Sequence, residues 1–206
     1  MNQSGIPFPP QTQHLHDVAL LTEAFAAVVA DRTAWYVSSP LTSGLRSRHW
    51  LTANRAVDDA GQASSEDFIR HVVALNRTEA ATFVQALRSR ERHVVIDPTA
   101  LEDVPGWTQS DYRVLWAKII QRYVETVVFR DGWQHSNGCA WEFLTAWAAR
   151  CLLLREDLSP MSVQDGRSLL EASAAEQPPG ASKAFLTAVL KALATESMEK
   201  QWRAPR

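Results

Sequence analysis

The chain is short of several things, and each shortage narrows the reading. Only two of its 206 residues are cysteine, Cys139 and Cys151, and neither stands at metal-ligand spacing. That excludes a disulfide framework and a cysteine-built metal centre, and thiols this sparse fit a reducing compartment. An excess of one charge is also missing: 21 Lys and Arg against 23 Asp and Glu leave a formal net charge of −2, with no long run of like charges. Such a balance supplies no electrostatic footprint for a nucleic-acid polymer or an anionic membrane surface. No window is apolar for long enough to span a bilayer. The opening Met1-Asn2-Gln3-Ser4-Gly5-Ile6-Pro7-Phe8-Pro9-Pro10 is polar and proline-rich, without the apolar core of a secretory signal. The expectation is a soluble, cytoplasmic, single-domain α/β protein, large enough to bury a core without covalent staples.

What is present is a series of short apolar runs separated by helical periodicity. Residues 1–13 read as an exposed arm. Leu15, Val18, Ala19, Leu21, Phe25 and Val28 recur at helical spacing and predict a helix over about 15–31. Ala34-Trp35-Tyr36-Val37 is aromatic, β-branched and short, which predicts a buried strand feeding the small-residue loop 38–44. Residues 45–63 lack a clean period and read as an irregular excursion, a candidate lid. Ser64 or Ser65 is placed to cap a short helix with Phe68, Ile69, Val72 and Val73 on its core face, and a second helix is expected over about 77–91. His93-Val94-Val95-Ile96 predicts a strand that Asp97-Pro98 stops. A helix at about 109–124, a strand at 126–129, a helix at about 138–149 and a strand at 150–154 follow. Beyond Pro160 come a short helix near 162–175, a Pro178-Pro179-Gly180 turn, and a final amphipathic helix through Phe185, Leu186, Val189, Leu190 and Leu193. The chain thus divides into the arm, an α/β domain over 14–159 with an insertion at 45–75, and a helical extension over 160–206. The apolar stripe of the last helix either covers the sheet or pairs with another subunit.

Short apolar runs alternating with helices imply parallel strands joined by right-handed crossovers, and continuous rather than alternating runs imply burial on both sheet faces. In such open sheets ligands bind beyond the carboxyl ends of the strands, where the strand order reverses. That rule nominates three segments far apart in sequence: the loop 38–44, Asp97-Pro98, and the loop 131–138 with Glu142.

These same segments resemble the nucleoside 2-deoxyribosyltransferase-like superfamily, in particular its short branch of nucleoside- and nucleotide-cleaving domains. Tyr36-Val37-Ser38-Ser39-Pro40-Leu41-Thr42-Ser43-Gly44 is similar to that group's opening strand and Gly/Pro/Thr loop. Asn76-Arg77-Thr78-Glu79 through Val94-Val95-Ile96-Asp97-Pro98 is similar to its first crossover helix and second strand, and Trp107 through Tyr112 to the approach to its next helix. The most specific match is Gly132-Trp133-Gln134-His135-Ser136-Asn137-Gly138-Cys139-Ala140-Trp141-Glu142, which resembles a Gly-Trp-x-x-Ser-x-Gly-x-x-x-Glu block. The resemblance covers about residues 35–154 apart from the stretch at roughly 45–75. It implies a flavodoxin-like parallel sheet of four to five strands flanked by helices, with extra helices at both ends of the chain. It also implies Glu142 as a nucleophile toward the anomeric carbon of a (deoxy)ribosyl group, Ser136 as a contact for a 5′-hydroxyl or 5′-phosphate, and a first loop cradling base and sugar. On this basis Ser38, Pro40, Thr42, Gly44, Trp133, Ser136 and Gly138 are the expected substrate contacts. No metal or cofactor is called for, and a homodimer is the expected assembly.

Glu142 also has a chemical case of its own. Cleavage of an N-glycosidic bond develops oxocarbenium character, which a nearby carboxylate stabilises or traps covalently, and its neighbours Trp141 and Phe143 are not those of a solvated glutamate. Asp97 and Asp131, each at a strand end, are candidate acid/base or hydroxyl-binding groups, with turn formation as the alternative. Ser136 and Asn137 also suit helix capping, and Asp111 suits a helix start. His135, His49, Arg46 and Arg48 read as loop residues or phosphate contacts, Trp35, Trp133 and Trp141 as core or base-stacking aromatics, and Cys139 as packing. The leading expectation is N-glycosidic cleavage or (deoxy)ribosyl transfer on a nucleoside or nucleoside 5′-monophosphate. The resemblance is broken by Glu125, where the group usually has an aspartate, and by Arg130-Asp131, where it has a more apolar pair. Those differences motivate a second reading, a non-catalytic nucleotide-binding module. The extra stretch at 45–75 motivates a third, cleavage of a larger N-ribosyl compound such as a nicotinamide dinucleotide.

Overall fold

A computed structural model describes residues 14–29, 33–54 and 65–202. Its centre is a pair of parallel strands, β1 (Ala34–Ser38) and β3 (Val124–Phe129), in register Tyr36 to Val127 and Ser38 to Phe129. Two shorter strands flank them, β2 (Val95–Ile96) beside β1 and β4 (Leu152–Arg155) beside β3, so the order among the described residues is β2-β1-β3-β4, all parallel. This is the strand order of a flavodoxin-like sheet.

Side chains alternate across the sheet. Tyr36 and Val127 join one core with Ile119, Phe143 and Leu186, whereas Val37 and Val128 join another with Val84 and Leu87. The helices divide accordingly. Helix α4 (Ala74–Arg88), on the step from β1 to β2, lies over the second face. Helices α5 (Gln109–Tyr123) and α6 (Asn137–Ala148), on the steps from β2 to β3 and from β3 to β4, lie over the first. The β1-to-β2 step runs in one direction across the sheet and the other two in the opposite direction. A single crossover handedness then requires the helices to occupy opposite faces, as they do. Helix α1 (Leu15–Ala26) packs on α5, and the C-terminal pair α7 (Val163–Glu176) and α8 (Ala181–Trp202) packs on α6. Leu186, Val189 and Leu193 of α8 are at most 3 % exposed, so the apolar stripe of that helix is used inside the chain. Among the described residues no helix is long and apolar enough to cross a membrane.

Three expectations need correction. Residues 45–54 are not a loop: they form helix α2 (Leu45–Asn54). Its only buried residue is Ser47, so it has no apolar stripe from which a period could be read. Gly44, at φ +91°, gives its carbonyl to the Arg48 amide and starts the helix; a side chain there would meet the Pro40 ring at 2.8 Å. The two helices expected around 64–75 and 77–91 are one: α3 (Ser65–Phe68) continues through a π-helical turn, Ile69–Val73, into α4. The wider turn shifts the apolar phase between the two halves, which is why they read as separate elements. The last strand begins at Leu152 rather than 150, because Arg150 adopts φ +60° and the Cys151 amide still bonds back to Ala146. The expected arm at 1–13, residues 55–63 of the proposed lid and Ser64 lie outside what is described, and Ser65 is the first residue of α3.

Candidate active site

Strand alternation sends Tyr36 and Ser38 to the same face, toward α6. There both meet one carboxylate: the Tyr36 hydroxyl donates to Glu142 Oε1 at 2.7 Å and the Ser38 hydroxyl to Oε2 at 2.6 Å. Glu142 is 8 % exposed. Burial raises its carboxyl from the ordinary 4.5 to about 7, against the two hydroxyl donors, which favour the ionised form. Burial, reinforced by the neighbouring Glu142, holds the Tyr36 phenol well above its usual value, so it remains a donor. The Cys139 thiol is pushed up to about 12 by burial and the same carboxylate, and behaves as packing rather than as a nucleophile.

The local chain explains this placement. Gly132 at φ +79° turns the chain out of β3 into a short 3-10 segment, Trp133–His135. Ser136 caps α6, accepting the Cys139 amide on its Oγ, and the Ser43 hydroxyl donates to the same oxygen at 2.8 Å. The loop after β1 is thereby fastened to the start of α6. The Arg130 amide donates to the Ser38 carbonyl at 3.0 Å, joining the ends of β1 and β3. Between these two strands the order reverses, so the site lies at the switch point of the sheet.

Glu142 lines a pocket with an open volume of about 160 Å³. The loop after β1 contributes Thr42 and Ser43, the start of α6 contributes Ser136 and Gly138, and Thr99 follows β2. The fourth wall is a stripe of α5, Gln109, Tyr112, Arg113 and Trp116, at the i, i+3, i+4, i+7 spacing of one helix face. Of the expected site residues, Glu142, Ser38, Thr42, Ser136 and Gly138 come together here.

Others do not. Asp97 is not among the pocket-lining residues: it caps the turn Pro98–Ala100, accepting the Thr99 amide at 2.9 Å and hydroxyl at 2.7 Å on one oxygen. Pro98 and Thr99 after it line the pocket, and its charge adds to burial and Glu142 in raising the Tyr36 phenol. Asp131 is exposed and lines a separate hollow with Arg46, Asn76, Glu79, Arg130 and Glu156, apart from Glu142. Pro40 lines that same hollow, and Gly44 shapes the loop and the start of α2. Trp133 is core: its ring stacks on Phe143 at 4.8 Å and lies 4.9 Å from Phe129, leaving 3 % exposed and no face for a base. Asp111 completes a capping box with Thr108. Arg46 pairs with Glu79, and Arg48 reaches both His135 Nδ1 and Glu176. Burial first, then the Arg48 charge, lowers the His135 pKa, and this cluster clamps α2 to α7 outside the pocket.

Sequence reasoning passed over Tyr36 and Arg113. The signal for Tyr36 was available: it stands two residues before Ser38 on a strand that leads into the site. Arg113 could have been found from the α5 stripe. Among the described residues no group of three or more His, Cys, Asp and Glu side chains is placed to hold a metal ion. Against family models, curated proteins and solved structures the chain finds no match.

Proposed function

We propose that the chain cleaves the N-glycosidic bond of a nucleoside or nucleoside 5′-monophosphate, with the Glu142 carboxylate as nucleophile. The observation that carries this reading is one buried carboxylate, held on both oxygens by Tyr36 and Ser38, facing a pocket at the switch point of a parallel sheet. A glutamate poised near neutrality suits the role, since a nucleophile must be ionised yet not buried in hydration. Attack of a Glu142 oxygen on C1′ forms a glycosyl ester as the C1′–N bond breaks. The base leaves with the bonding pair and takes a proton from solvent. Water, or a second base, then displaces the carboxylate from C1′ and releases the sugar product. Tyr36 and Ser38 orient the carboxylate before attack and receive it back as leaving group. The Ser-x-Gly-x-x-x-Glu spacing within 136–142, similar to the nucleoside 2-deoxyribosyltransferase-like block, supports the same assignment.

Among the described residues the pocket opens about 160 Å³, below the roughly 300–1,000 Å³ of pockets for drug-sized ligands, which argues against a dinucleotide-sized ligand. The homodimer and the cytoplasmic setting that accompany the reading are tested by light scattering and by fractionation. The activity itself is tested by following free base chromatographically over a panel of nucleosides and their 5′-monophosphates. Glu142-dependent release supports it; nucleoside or nucleotide binding without any release, at high protein concentration, replaces it with a binding module.

A further inference from the structure

Three buried donors on the walls of the Glu142 pocket lack an acceptor among the described residues: Ser39 Oγ, Trp141 Nε1 and Arg113 Nε. Ser39 and Trp141 are 9 % and 3 % exposed. A buried polar atom without a partner is costly, and a ligand is one thing that completes the bonding; Trp35 Nε1, Arg77 Nε and Trp107 Nε1 are unpartnered elsewhere, but only these three line one pocket. Arg113 is the most informative of the three. The other part-buried arginines near the site are neutralised: Arg46 by Glu79, Arg48 by Glu176 and Arg130 by Glu156. Arg113 has no ion pair among the described residues. Asp103, which also lines the pocket, is exposed and does not pair with it.

The geometry of Arg113 is that of a receptor. Its guanidinium carbon lies over the Phe185 ring at 4.8 Å, a cation–π contact that anchors the group on α8. Its N–H edge, the part that grips a carboxylate or phosphate through two parallel bonds, is not consumed by that contact. Burial lowers the Arg113 pKa from its usual value, a sign of incomplete hydration. Position along α5 separates this charge from Glu142. Trp116, three residues on, packs edge-on against Tyr36 at 6.0 Å, and Tyr36 holds Glu142. Since α5 runs directly into the start of β3, its N-terminal end lies at the carboxyl edge of the sheet. Arg113 is therefore about one turn nearer the mouth than Trp116, roughly 4.5 Å of helix rise.

We propose that Arg113, with the Trp141 and Ser39 donors, forms an oxyanion subsite, and that the preferred substrate carries a carboxylate or phosphate at the end remote from the bond that breaks. The inference rests on the Glu142 pocket being the substrate pocket, and it names a specificity residue that the catalytic reading does not require. The shared chemistry is an oxyanion, and its attachment to sugar or base is what the test resolves.

Calorimetric titration of Glu142→Gln protein, which binds without turnover, is run with four nucleosides including uridine, their 5′-monophosphates, and 5-carboxyuridine, whose base bears a carboxylate on the side away from the glycosidic nitrogen. The expected result is that one class of anionic ligand binds about 10–100-fold more tightly than its neutral parent, the range of a charge-assisted bond. Adding Arg113→Gln should abolish that preference and leave the neutral parent within about twofold, whereas Arg113→Lys should keep part of it. Tighter monophosphates place the anion on the sugar; tighter 5-carboxyuridine places it on the base. The proposal is overturned if no anionic ligand is preferred, if the preference survives Arg113→Gln, or if neutral and anionic ligands weaken alike, the mark of a packing defect on Phe185. Charge-selective binding without cleavage by the wild type would remove the catalytic reading and keep this one. Glu142-dependent cleavage without an Arg113-dependent preference would do the reverse.

Discussion

Glutamine at position 142 keeps the shape of the side chain and its approach to Tyr36 and Ser38 but removes the charge. In the folded chain burial moves the Glu142 carboxyl from 4.5 to about 7; unfolded, it returns to the ordinary value. Below the ordinary value both states hold the proton and the group carries no penalty. As pH rises, the unfolded chain releases its proton first, and the folded state is progressively disfavoured. Once pH passes about 7 the folded carboxyl ionises as well and the penalty levels off. A displacement of two to three pKa units corresponds to about 3 kcal/mol, or roughly 6–12 °C in Tm for a chain of this size. Urea unfolding of wild type and Glu142→Gln at pH 4.5 and 8.5 isolates this group, because every other titration is common to both proteins. The expected result is that the stability difference shifts by about 3 kcal/mol in favour of Glu142→Gln at the higher pH. Parallel pH profiles would refute the claim that the carboxylate is held in a desolvated site.

Three further outcomes follow from the same geometry. Ser38→Ala removes a bond that favours ionised Glu142, so the acid limb of kcat/KM should move above its wild-type position, with the fold-deficit full on the acid side of about pH 7 and recovering toward pH 9; a full pH profile checks it, and an unmoved limb contradicts it. Trp133→Ala empties a space between Phe129 and Phe143 and should cost about 3–5 kcal/mol in chemical unfolding; a loss below about 1 kcal/mol would mean that Trp133 is not core. Asp131→Asn, exposed and apart from Glu142, should leave turnover within about twofold and stability within about 0.5 kcal/mol, whereas a tenfold loss of turnover would return Asp131 to the site.

The parallel sheet was legible because β1 and β3 are buried on both faces and read as continuous apolar runs, Trp35-Tyr36-Val37 and Thr126-Val127-Val128-Phe129. The convergence of the 38–44 loop with 136–142 was legible too, since it follows from topology alone. Helix α2 was not, because a helix with only Ser47 buried carries no period, and the joined helix over 65–88 was hidden by its π turn. Within the site, Asp97 and Asp131 stood at the right strand ends, but position on an edge does not say which way a side chain turns. Asp97 is consumed by Thr99, and Asp131 lies over a different hollow. Trp133 misled for a related reason: a tryptophan in a functional loop reads the same whether its ring meets a ligand or Phe143. Tyr36 and Arg113 act through partners distant in sequence, Glu142 and Phe185, which no local pattern contains.

The central claim is that the Glu142 carboxylate attacks an anomeric carbon. Its most direct test is intact-protein and peptide mass spectrometry of the chain quenched during incubation with the nucleoside and nucleotide panel, with free base measured in the same samples. The account predicts base release that is lost in Glu142→Ala, accompanied by a mass increase of one glycosyl group on the peptide that contains Glu142. Base release that survives Glu142→Ala, or no release from any member of the panel, would contradict it.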